Sequence, residues 1–133
     1  MIVKGSNRLR DRGELFWETA NEIVEILLKH RAKPNSRDDL GNTALIYAAD
    51  ANHVGVMEVL LDHGARIGIE NRRGFTPLIS AAAAGNVAAV QLLLDRNADA
   101  AKTDYTGRTA LMWARRNNRN NVVQFLTRRG VRE

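Results

Sequence analysis

A single period organises this chain. Gly41, Gly74 and Gly107 lie 33 residues apart, as do Thr43, Thr76 and Thr109, Leu45, Leu78 and Leu111, and Ala48, Ala81 and Ala114. Leu60, Leu93 and Leu126 keep the same register without a gap, preceded by Met57, Val90 and Val123, and Leu27–Leu28 carry it back into the first segment. A period of this length means a stack of small supersecondary units, because one unit cannot bury its apolar face alone and neighbours must cover it.

The chemistry of one unit follows from its residues. Asp38, Asn71 and Asp104 stand three residues before each glycine and suit a turn in which the side chain bonds its own backbone. The glycine supplies the positive φ that such a turn demands. Thr43, Thr76 and Thr109 suit helix N-caps, and Pro77 stands where a first helical residue would be. A short alanine-rich helix follows, then a break near Asn52-His53, Gly85-Asn86 and Asn118-Arg119. A second helix comes next, with apolar residues at three- and four-residue spacing, as in Val56-Met57-Glu58-Val59-Leu60-Leu61. Gly64 and Asn97 tolerate the left-handed conformation and suit its end. The expected class is all-α: stacked helix–turn–helix units with β-turn or hairpin loops.

These residues resemble the ankyrin repeat family, whose unit is also 33 residues with a Thr-Pro-Leu-His turn; Gly74-Phe75-Thr76-Pro77-Leu78-Ile79 is the nearest match here. The resemblance divides a single domain of 1–133 into an N-terminal capping unit at 1–37, internal repeats at 38–70 and 71–103, and a C-terminal capping repeat at 104–133. The family's histidine is replaced by Ile46, Ile79 and Met112, so apolar packing is expected in place of its polar link. The hairpin asparagine survives as Asn35, with Gly68 and Ala101 at the later equivalents. Thr19-Ala20-Asn21-Glu22 forms a capping box, while residues 1–18 fit the pattern worst and predict a short or irregular helix. Arg115 to Asn121 reads as the polar outer face of a terminal unit, and the array reads as a complete short one.

Composition narrows the chemistry. The chain has no cysteine, which excludes disulfides, thiolate zinc sites and cysteine nucleophiles. The start, Met1 to Arg8, has no apolar signal core, and no apolar stretch is long enough to span a bilayer, so an intracellular, cytoplasmic protein is expected, with the nucleus open. The net charge of +5 is local: residues 1–103 balance, and seven arginines against Asp104 and Glu133 carry the whole excess. His30 and His63 are one period apart, at the ends of successive second helices, and suit a favourable charge at a helix C-terminus better than a metal site. No serine has a nucleophile-elbow setting and no phosphate loop is present. The expectation is no catalysis, no cofactor and no metal.

Positions that differ between repeats are free to serve a partner. They gather at the turn tips and on the exposed side of the first helices, which the ankyrin resemblance makes a concave binding surface with fingers. Its expected binding residues are Asp39, Leu40, Asn42, Tyr47, Arg72, Arg73, Phe75, Tyr105, Arg108, Trp113 and Arg116. Phe75, an aromatic at a tip beside two arginines, reads as an anchor together with Tyr105. Tyr47 and Trp113 share one face with Ser80 as a dip between them, and packing against neighbouring loops explains them equally well. A protein with an acidic segment is the expected partner of a monomer, with self-association open. The alternative is nucleic acid or an anionic surface bound through the C-terminal arginines; against it, those arginines are not interleaved with base-stacking aromatics.

Overall fold

The computed structural model describes residues 20–22, 24–26, 28 and 32–133. The expectations for residues 1–18, for Thr19 as a cap and for His30 lie outside them.

The described residues of 20–28 are helical, and six helices follow: α1 (Ala44–Asp50), α2 (Val54–Asp62), α3 (Pro77–Ala84), α4 (Val87–Asp95), α5 (Ala110–Arg116) and α6 (Asn120–Arg128). No strand occurs among the described residues. Short inner helices α1, α3 and α5 stack on one another, and longer outer helices α2, α4 and α6 form a second layer behind them.

Each inner helix starts as its sequence dictates. The hydroxyls of Thr43, Thr76 and Thr109 accept the amides of Ile46, Ile79 and Met112, all at 3.2 Å, which satisfies a donor that the first turn leaves orphaned. Pro77 opens α3 without losing a bond, because its missing N–H falls there. Between the paired helices Asn52, Gly85 and Asn118 all have φ near +60° to +83°, so one left-handed residue per unit turns the chain back.

The two layers meet in one core. Leu45, Leu78 and Leu111 project between them, with Leu60, Leu93 and Leu126 from the outer helices, all 3% exposed or less. Burial of each such side chain contributes about 2 kcal/mol. Ala48, Ala81 and Ala114 are buried where α1, α3 and α5 approach. Ile46 and Ile79 are buried at the position where the family has histidine, and Met112 is half-buried. Apolar packing does replace the polar link there.

Asparagines tie successive units together. The Asn86 carboxamide donates to the carbonyls of Ala49 and Asp50 at 2.9 Å, at the open end of α1. The Asn52 oxygen accepts the Ala89 amide in the first turn of α4. Asn117 and Arg119 donate to Ala83, and Asn121 to Gly85, at the end of α3. The polar run read as surface cover thus also closes a neighbouring helix. Asn35 bonds Gly64 and Arg66, keeping the hairpin role that the sequence suggests.

Candidate functional site

The turn tips are built from one device. The Oδ1 atom of Asp38 accepts the amides of Leu40 and Asn42, that of Asn71 the amides of Arg73 and Phe75, and that of Asp104 the amides of Thr106 and Arg108. Successive tips are then joined: the Arg72 amide donates to Leu40 and the Tyr105 amide to Arg73, at 3.1 and 3.2 Å. This close approach needs glycine at 74, since a Cβ there would lie 2.7 Å from the Tyr105 nitrogen. Asn42 joins the same lattice by accepting from the Asn71 carboxamide, which gives it a structural bond of its own.

The second oxygen of each aspartate reaches the inner helix nine residues on. Tyr47 donates its hydroxyl to Asp38, and Trp113 donates Nε1–H to Asp104 Oδ2 at 2.7 Å. Between them, at the same register, stands the pair Asn71 and Ser80, and Ser80 is buried. Its short side chain floors a cleft of about 190 Å³ whose walls include Tyr47, Asp50, Arg73 and Ala83. The dip at Ser80 lies beside Tyr47, with Phe75 and Arg73 in the place expected for Trp113.

Two carboxylates feel this arrangement differently. Burial pushes the Asp104 pKa up, but hydrogen bonds from the Thr106 hydroxyl, the Arg108 amide, the Trp113 indole and the Thr106 amide outweigh it and hold the group at about 2. Asp38 is also held below its ordinary value, chiefly by the Tyr47 hydroxyl, although it is exposed. Around the far side of the tips, Tyr105 donates to Glu70 at 3.0 Å and Lys102 pairs with Glu70 at 3.4 Å. Glu70 raises the Tyr105 phenol above its ordinary value. Glu70 was not visible from the sequence, because it repeats nowhere in the register.

Phe75 corrects the sequence reading. Its backbone belongs to the tip, but its ring is only 7% exposed and packs on Trp113 with centroids 5.3 Å apart. An apolar ring at the core's edge gains more from this tilted aromatic contact than from water. The Arg73 guanidinium covers its outer side, 4.2 Å from the centroid. Phe75 therefore supports the face from beneath and is no exposed anchor. Trp113 is half-buried, with Arg73, Arg108 and Arg116 at 6.0, 5.4 and 6.0 Å from its ring. Tyr105, Leu40 and Tyr47 are exposed, at 68%, 64% and 49%, and Asp39 and Arg72 are exposed as well.

Among the described residues no group of three or more His, Cys, Asp or Glu side chains could hold a metal ion. His63 Nδ1 bonds the Val59 carbonyl at 2.9 Å near the end of α2, as its helix-terminal position suggests. No described helix is long and apolar enough to cross a membrane.

The repeated turn, cap and helix pair define a class, the stacked helical repeat proteins. The family model for ankyrin repeats (3 copies) matches residues 17–71 and 66–132, and the chain belongs to that family. Ankyrin repeats are generally protein–protein interaction modules and generally non-catalytic. No curated protein matches the chain.

Proposed function

We propose that this chain binds another protein, without catalysing a reaction, through the concave face formed by the inner helices and the turn tips. One observation carries the reading. Of the four large hydrophobic side chains exposed among the described residues, Leu40, Tyr47 and Tyr105 stand on the tips or beside the cleft, and only Ile26 does not. Exposed apolar groups at the turn tips and beside the cleft, with arginine and tyrosine among them, are what partner surfaces use. Asp39, Arg72, Arg73, Arg108, Trp113 and Arg116 complete the proposed face. The scaffold beneath is fixed by the bonds of the tips, so a partner would meet a preformed surface and little ordering cost.

Selection of 12-residue peptides from a random display library against the purified chain tests the reading. Selected peptides should lose at least about tenfold in affinity on Tyr47→Ala or Tyr105→Ala, a hot-spot loss of about 1.4 kcal/mol. Arg96→Ala, on the outer layer, should leave affinity unchanged. Binders that respond to Arg96→Ala and ignore both tyrosines would place the interaction elsewhere and overturn it.

A further inference from the structure

Two groups of arginines stand apart among the described residues. On the outer layer, Arg96 pairs with Asp62 at 3.0 Å and Arg129 with Asp95 at 2.6 Å, each acid one unit earlier in the chain. Arg115 pairs with Glu133. Arg73, Arg108 and Arg116 form no ion pair among the described residues, although Asp50 lines the same cleft as Arg73. These three gather instead around one indole.

We propose that they form a receptor for neighbouring carboxylates on an extended, acidic segment of the partner, with Trp113 as its floor. The inference rests on the concave-face reading above and names the partner's chemistry. Each guanidinium lies 6.0 Å or less from the Trp113 centroid, so no two can be more than about 12 Å apart. Alternate side chains of an extended strand are about 7 Å apart and face the same way, so acids at positions i and i+2 both fall within reach of this group. Arg108 donates one N–H to the Thr106 hydroxyl at 3.2 Å, whereas Arg73 and Arg116 make no side-chain hydrogen bond among the described residues, and such planar N–H edges give the bidentate geometry that acids favour.

The one acid in contact with the ring does not neutralise the cluster from the solvent side. Asp104 is 4% exposed, and its two oxygens are taken by Thr106, the Arg108 amide and the Trp113 indole. That clamp fixes the indole, and the indole in turn gathers the cations through its negative face. Three like charges held together repel one another, and a bound dianionic segment would relieve that repulsion.

The test uses the full chain, labelled with ¹⁵N, and the Trp113 indole resonance, assigned by its loss in Trp113→Phe. Acetylated hexaglutamate amide should shift that resonance saturably at low salt, and the affinity should fall steeply as salt rises. Hexaglutamine should leave it in place. Arg73→Gln and Arg116→Gln should each weaken hexaglutamate at least about fivefold with backbone amide shifts otherwise preserved, and Arg96→Gln should not. Equal shifts from both peptides, no shift from either, or indifference to both arginine variants would overturn the proposal. So would a thymidine hexanucleotide that displaces hexaglutamate at a lower concentration, since the cluster would then serve nucleic acid. If library peptides bind the face, respond to Tyr47→Ala and ignore Arg73→Gln and Arg116→Gln, the acidic segment fails while the interaction face stands. If they bind off the face, both fail.

Discussion

The first and last described tips carry the same parts in the same register and use them differently. At one end Asp38, exposed, holds Leu40, Asn42 and the hydroxyl of a half-exposed Tyr47. At the other end Asp104, buried, holds Thr106, Arg108 and the indole of Trp113, which in turn lies on Phe75. A clamp that costs little in water becomes one that the fold depends on when apolar rings close over it, because lost bonds can no longer be replaced by water. Position in the stack, more than residue type, sets the weight of each contact.

Equivalent substitutions at different positions put that comparison to the test. The largest effect should come from Ile79→Asp, which places a charge between buried helices and should cost about 3–5 kcal/mol by urea unfolding; Met112→Asp, half-buried one unit later, should cost clearly less. Equal losses would mean that depth in the stack does not matter. Gly74→Ala should follow at about 2–3 kcal/mol, because it combines a positive φ with the Tyr105 nitrogen 2.7 Å away. Gly107→Ala, at nearly the same φ with open space around it, should cost only about 1 kcal/mol.

Next comes the clamp itself. Asp104→Ala removes the acceptor of Thr106 and of half-buried Arg108 and Trp113 and should cost about 2 kcal/mol, while Asp38→Ala should lower the melting temperature far less. The pH dependence carries the same sign. A carboxylate held below its ordinary value of 3.8 stabilises the fold above that value, and its contribution fades as pH falls towards about 2. Stability measured between pH 4 and 2 should therefore drop by a component that Asp104→Asn lacks. The smallest effect belongs to Tyr47→Phe, which lets the exposed Asp38 carboxylate exchange the lost hydroxyl for water and should barely change the melting temperature.

Much of this architecture was legible because its causes are local. A threonine cap, a turn aspartate, a positive-φ glycine and a leucine at fixed spacing act within a few residues, and all repeat. The candidate face was legible only as a set of positions. Which of them face solvent depends on contacts one unit away: Phe75 turns under Arg73 because Trp113 lies 38 positions further on. The nine-residue link from aspartate to Tyr47 or Trp113 left a trace in the sequence, since both acids face a long aromatic donor there while Asn71 faces the short Ser80. The outer ladder of Asp62–Arg96 and Asp95–Arg129 left a trace too, as a second offset of 34 beside the period of 33.

No hydrogen bond to a side chain among the described residues reaches further than 37 positions. Pulled by its two ends, such a molecule should part like a zipper and not like a knot. Each interface would carry the load alone until it gives, and would release about 110 Å of chain for every 33 residues freed.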